Sequence, residues 1–244
     1  MFVVQNKSDL EKLNKPLYVK ELFSAIAKKY DLLNTLMTFS LHNAWKTELV
    51  KLAMKEKSDI ENVLDACSGT ADIAIIINKY LPESKITCLD YCKEMLDVAA
   101  EKLARLNLNN IDLILSDLNS FAWTKHSFDL VTIGFGLRNI ENREQALNKI
   151  YEMLKRNGIF ACIDLGYPSN KFLEKIFFSY FFKTVPLLGQ LFAQNKEAYS
   201  YLPNSLRQWY KQDDLKQLIL KTGFKKCYYK NILGGVVAIH VAVK

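Results

Sequence analysis

The sequence predicts an α/β fold, a doubly wound and mostly parallel sheet with helices on both faces. Three observations predict it. From about residue 60, short apolar runs alternate with amphipathic stretches of about a dozen residues, the pattern of successive βαβ units. A small-residue turn, Cys67-Ser68-Gly69-Thr70-Ala71-Asp72, follows the first of these runs. Two β-rich stretches end the sequence around Gly234-Gly235, which suits a tight hairpin.

Each element has its own signal. Residues 17–55 place Leu22, Phe23, Ile26, Tyr30 and Leu33, then Trp45, Leu49 and Leu52, at helical spacing. Residues 62–66 read as strand one and 73–80 as the helix after it. Residues 85–90 are strand two, and 94–106 a helix with Leu96, Ala99, Leu103 and Leu106 on one face. Strands three and four run over 111–115 and 129–135. Residues 144–155 predict a helix with Leu147, Ile150, Tyr151 and Leu154 together, closed by Asn157-Gly158 as a C-cap. Strand five covers 159–165. An aromatic-rich insertion, 168–212, interrupts the rhythm. A helix over 213–221 ends at Gly223, and strands follow over 224–230 and 235–243. The expectation is one domain, 1–244: a helical N-terminal cap (1–58), a ligand-binding core (59–167), the insertion (168–212), and a C-terminal helix with a β-hairpin (213–244).

Composition narrows the class. The 244 residues are 50% hydrophobic and 24% charged, a globular balance. Thirty-three Lys and Arg against 26 Asp and Glu give a net charge of +7, common among soluble enzymes. Five cysteines form no CxxC pair, and no histidine stands near any two of them at zinc-ligand spacing, so no metal is expected. Four of the five fall in apolar, strand-like stretches and read as small buried hydrophobes in a reducing compartment. The opening apolar run is too short for a signal peptide, and no stretch of about 18 uncharged apolar residues exists. A cytoplasmic protein is expected.

Doubly wound sheets bind ligands at the carboxyl ends of their strands, where strand order reverses. The turn at 67–72 carries one glycine, Gly69, among small neighbours. Asp90 ends strand two, 25 positions after Asp65, where a carboxylate accepts hydrogens from both ribose hydroxyls. Asp117 follows strand three, where it accepts an adenine amino hydrogen, with Leu118 near the ring. These acids fit a nucleoside from NAD or from S-adenosylmethionine. Asp72 at a helix start would repel a pyrophosphate, whereas Asp65 and Asp72 would attract a methionyl ammonium. A terminal antiparallel hairpin is unusual in dinucleotide-binding dehydrogenases and usual in the class I methyltransferase sheet. The reading leans to the methyl donor, on a Rossmann-like, mostly parallel seven-stranded sheet.

The stretch Phe135-Gly136-Leu137-Arg138-Asn139 resembles a signature of the quinone-biosynthesis C-methyltransferases, the demethylmenaquinone and ubiquinone-precursor methyltransferases. The resemblance spans nearly the whole chain. Phe23 to Asn34 and Thr38 to Lys46 look like the N-terminal motifs of that family. Tyr199-Ser200-Tyr201-Leu202 with Ser205, and Gly234 to His240, look like its late motifs. The family pattern implies S-adenosylmethionine contacts at Thr70, Asp90, Asp117, Leu118 and Gly134, and a polyprenylated hydroquinone as acceptor. The hydroquinone ring must lose a hydroxyl proton and lie in line with the S–CH₃ bond.

Arg138 is the first candidate for the acceptor side. It stays charged, so it stabilises a phenolate or orients a water; the alternative is a salt bridge to Asp164. His42 and Tyr201 are candidates for proton relay or ring contact. Tyr30, Trp45, Asn139 and Tyr199 are candidates for the substrate pocket, and an aromatic core is the alternative for the rings. The aromatic run from Phe172 to Phe192 reads as a buried helix or as a wall for an isoprenoid tail. In the second reading Lys171, Lys175 and Lys183 face a membrane surface. A homodimer is left open. A non-catalytic scaffold in a quinone-synthesis assembly, suggested by the glycine-poor turn, and an RNA methyltransferase, suggested by the charge, compete with this reading. No basic run interleaved with stacking aromatics supports a nucleic-acid partner.

Overall fold

The structure is a computed structural model that describes residues 15–188, 201, 205–206 and 209–244. Two helices come first, α1 (Lys15–Thr38) and α2 (Leu41–Glu56). Then follow β1 (Asn62–Ala66), α3 (Asp72–Tyr80), β2 (Lys85–Asp90), α4 (Lys93–Arg105), β3 (Ile111–Leu115), β4 (Phe128–Gly134), α5 (Arg143–Met153) and β5 (Leu154–Leu165). In the insertion, α6 (Lys171–Ser179) runs through a π-turn into the short α7 (Val185–Leu188). The described chain ends with α8 (Gln212–Lys221), β6 (Lys226–Ile232) and β7 (Val237–Val243).

Seven strands form one sheet in the order β3-β2-β1-β4-β5-β7-β6. The first five are parallel, and β7 runs antiparallel to both β5 and β6. Consecutive residues of the central strands bury on opposite faces. Leu64, Val131, Phe160 and Ala242 pack into one core with α1, α5 and α8. Val63, Leu130, Ile159 and Val241 pack into the other with α2, α3 and α4. Two covered faces explain why these strands read as continuous apolar runs.

One helix end differs from the sequence expectation. Residues 144–155 with a cap at Asn157-Gly158 predict a helix closing there; α5 closes at Met153, and Leu154 is already extended at φ −71°, ψ 138°. Leu154 pairs with Phe128 and Ile159 with Leu130, so the residues between bulge out of the ladder. Asn157, at φ 58°, makes the bend, and its N–H reaches the Lys244 carbonyl at 3.2 Å. The Asn-Gly pair is a bulge rather than a cap. Likewise, three cysteines rather than four lie in strands: Cys88, Cys162 and Cys227. All five are free thiols.

The sheet order reverses between β1 and β4. Ala66 pairs with Leu89 and with Ile133, and Asp90 pairs with Leu115. Asp90, Asp117 and Gly134 therefore share one carboxyl edge, above the switch point.

Candidate active site

The turn after β1 folds tightly. Cys67, Gly69 and Ala71 all take left-handed backbone, at φ 53°, 54° and 63°. Left-handed geometry costs a non-glycine residue roughly 1–2 kcal/mol, so the surrounding packing must hold Cys67 and Ala71 there. At Gly69 a side chain would meet nothing within 4 Å, which leaves open space over the turn. The Gly69 N–H donates to Asp90 Oδ2 at 2.8 Å, and the Cys92 N–H donates to Oδ1 at 2.9 Å. Burial raises the Asp90 pKa, and backbone hydrogen bonds from Cys92, Gly69 and Tyr91 oppose the rise. The carboxylate keeps lone-pair capacity for a further donor.

Asp90, Gly69, Asp117, Leu118 and Gly134 line one cavity of about 530 Å³. Asp117 Oδ1 caps the Asn119 N–H at 2.8 Å, and Leu118 is buried beside it. Tyr91 and Cys92, next to Asp90, also line this space, and sequence reasoning missed both. Their place directly after the strand-ending acid was the available signal.

A second, apolar cavity of about 360 Å³ adjoins the first. Leu22, Ile26, Trp45, Phe177 and Phe181 help wall it, with His42, Arg138 and Tyr201 as polar members. Phe23, Tyr30 and Phe135 line both cavities, so they form the partition between them. Phe23 and Tyr30 meet edge to face, with ring centres 6.0 Å apart. Asn139 stands on the polar side, and Tyr201 on the apolar side donates its hydroxyl to Asn139 Oδ1 at 3.2 Å. Tyr199 lies outside the described residues.

Arg138 is buried and bound on several sides. Its Nη1 donates to Asp164 Oδ1 at 2.5 Å and to the Phe135 carbonyl at 2.7 Å, and its Nε reaches Ser205 Oγ at 3.3 Å. The salt bridge that the sequence left as an alternative is present. Arg138 still lines the apolar cavity.

Two residues of the turn face elsewhere. Thr70 donates to Asp31 Oδ1 at 2.7 Å. Asp72 binds Lys46 at 2.6 Å and Lys102 at closer range, and Lys102 also holds Asp31 at 2.8 Å. Burial alone would raise the Asp72 pKa, but the two lysines hold it at about 2. Its charge is thus committed to lysines, where the sequence suggested an ammonium. Lys102 and Asp31 gave no sequence signal, because their partners are 30 or more positions away. The cluster ties α1 and α2 to α3 and α4.

Asp65 is buried near the end of β1 and lines neither cavity; its Oδ1 accepts from the Thr132 hydroxyl at 2.7 Å, and its Oδ2 has no hydrogen-bond partner among the described residues. Burial raises its pKa to about 7. A carboxyl in that condition favours a cationic neighbour.

The profile described as the ubiE/COQ5 methyltransferase family matches residues 10–244. The chain belongs to that family. The Rickettsia prowazekii ubiquinone/menaquinone biosynthesis C-methyltransferase UbiE is 37% identical over 231 residues, covering 93% of this chain and 92% of the relative. A demethylmenaquinone methyltransferase from Listeria welshimeri is 36% identical over 227 residues, covering 93% and 95%. The fold is also that of the plantazolicin methyltransferase BpumL in complex with SAH, with TM-score 0.68, 18% identity, and 97% and 96% of the two chains covered. The protein is thus an enzyme of a methyltransferase family, on the seven-stranded sheet of the S-adenosylmethionine-dependent methyltransferases. The residues are compatible with that donor: an acid at the end of β2 that lines the larger cavity, an open turn after β1, and behind it a buried Asp65 carboxyl.

Proposed function

We propose that the chain transfers a methyl group from S-adenosylmethionine to a ring carbon of a polyprenylated hydroquinone in respiratory quinone biosynthesis. The observation that carries this reading is the pair of adjoining cavities, one acid-edged and one greasy, parted by Phe23, Tyr30 and Phe135. Asp90 takes the ribose hydroxyls, Asp117 and Leu118 take the adenine, and Gly134 at the end of β4 lines the same cavity. Asp65 supports the methionyl ammonium from behind the turn. When bound, the sulfonium supplies an electrophilic methyl group.

The chain's own residues do the rest. The partition holds the acceptor ring against the donor side and keeps water out, since alignment of reactants supplies several kcal/mol of barrier reduction. Arg138, fixed by Asp164, presents permanent positive charge to the apolar cavity, where a phenolate oxygen develops. Tyr30 and Trp45 line the ring side, and Asn139 with Tyr201 bridges the two cavities.

The same reading places the apolar mouth against a membrane surface. Phe39 is 82% exposed and Leu233 51% exposed, and both line the acceptor cavity. Phe172 on α6 is 74% exposed, and Lys171, Lys175 and Lys183 are exposed on the same segment. A prenyl tail would leave the cavity among such groups. No helix among the described residues is long and apolar enough to cross a membrane.

The test is incubation with methyl-labelled donor and reduced prenylated naphthoquinol or benzoquinol precursors. The expected product gains one labelled methyl on a ring carbon, seen by mass and by carbon NMR. Label on oxygen, or no transfer to either ring, overturns the reading.

A further inference from the structure

His42 stands in the first turn of α2, and its ring lines the apolar cavity. Its neighbour Thr38 fixes where its proton sits. The Thr38 hydroxyl lies 2.6 Å from the Asn34 carbonyl oxygen. A carbonyl only accepts, so the one hydroxyl proton is committed to it. The same hydroxyl oxygen lies 2.8 Å from His42 Nδ1. Having no second proton, it must accept there, which assigns the ring hydrogen to Nδ1. A neutral imidazole carries one N–H, so Nε2 is a bare lone pair. It makes no hydrogen bond among the described residues and is not a sealed atom.

We propose that His42 Nε2 is the general base that takes the ring-hydroxyl proton of the acceptor. The proposal rests on the C-methylation reading above. The other polar groups of the cavity are unsuited to the task. Lys46 is bound to Asp72 as a cation, and Arg138 does not lose its proton. The tyrosines are phenols that accept a proton only once ionised, and burial raises the pKa of Tyr180 and Tyr201. The charges around His42 also suit a base. Burial first, then Lys46 and Lys102, push its pKa below 6.5, against Asp72 and Asp31, so the ring is neutral near pH 7.

The step balances. The O–H bond breaks and its proton passes to Nε2, leaving a phenolate whose charge Arg138 faces. The ring carbon bonds to the methyl carbon as the methyl–sulfur bond breaks, and that electron pair leaves with sulfur. The carbon then loses its own hydrogen to water, and the imidazolium returns its proton to the ring oxygen. One proton is released per methyl transferred.

The test uses the full chain, His42→Gln and Thr38→Val. In His42→Gln, kcat is expected to fall about 100-fold or more, with donor affinity and acceptor KM little changed. The acidic limb of the kcat/KM profile, set by a group titrating below 6.5, is expected to vanish with it. Thr38→Val keeps the imidazole but removes the acceptor for Nδ1–H, so it too should lower kcat. A long-range proton–nitrogen NMR spectrum of the ligand-free protein should show His42 with Nδ1 protonated and Nε2 bare. A His42→Gln enzyme that keeps its kcat, or a His42 protonated on Nε2, overturns the proposal. If His42→Gln fails to bind donor, the spectrum and Thr38→Val decide. A wild-type chain that binds donor and methylates no hydroquinone instead overturns the functional reading, which the spectrum does not touch.

Discussion

At the tip of β2 the Asp90 carboxylate does two things. It ties down the turn after β1 through the Gly69 N–H, and it faces the larger cavity. Asp90→Ala removes the proposed acceptor for two ribose hydroxyls and frees the backbone N–H groups of Gly69 and Cys92. Charge-assisted hydrogen bonds contribute about 1.5–3 kcal/mol each, so losing two should lower donor affinity by roughly 100-fold or more in calorimetry. Unchanged affinity would remove Asp90 from the site. Asp90 was legible because a strand-ending acid is a local pattern. Asp72 was legible as an acid and illegible as a partner, because Lys46 is 26 positions away and on another helix. The Arg138–Asp164 pair was foreseen as an alternative, since Arg138 follows β4 and Asp164 lies near the end of the neighbouring β5.

Among the elements, the loop after β4 packs hard on the turn after β1. A Cβ on Gly136 would fall 2.5 Å from Cys67 Cβ and 3.3 Å from Ile133 Cγ2. Gly136→Ala should therefore push the two loops apart and destabilise the fold by about 1–3 kcal/mol. Thermal denaturation should show a lower Tm, and donor binding should weaken with it. A Tm equal to wild type would show that the loops are slack. The strands at this edge were read from sequence to the residue for β1, β2 and β3, because period and length agree there. The α5–β5 join was misread because Asn-Gly serves equally as a cap and as a bulge. Only the ladder with β4 decides between them.

Across the whole molecule, the two apolar cores flank a sheet whose last inner strand buries a histidine. His240 Nε2 lies 2.9 Å from the Gln212 carbonyl, so it carries the hydrogen, and burial holds its pKa at about 4. The unfolded chain binds a proton there near pH 6.5, well before the folded one. The contribution of His240 to stability is thus full above pH 6.5 and is lost as pH falls towards 4. The loss is on the order of 3 kcal/mol. Chemical denaturation across this range should show stability falling with pH in the wild type, and a flatter profile in His240→Phe. Equal slopes would mean that other groups set the acid limb.

In the proposed reaction the methyl crosses from an acid-edged cavity into a greasy one between Phe23, Tyr30 and Phe135. A crystal structure with S-adenosylhomocysteine and a short-chain hydroquinone tests this most directly. It should show the ribose on Asp90, sulfur at the partition, and the ring beyond it near His42 and Arg138. A nucleoside seated away from Asp90, or a ring on the same side of the partition as the adenine, would contradict it.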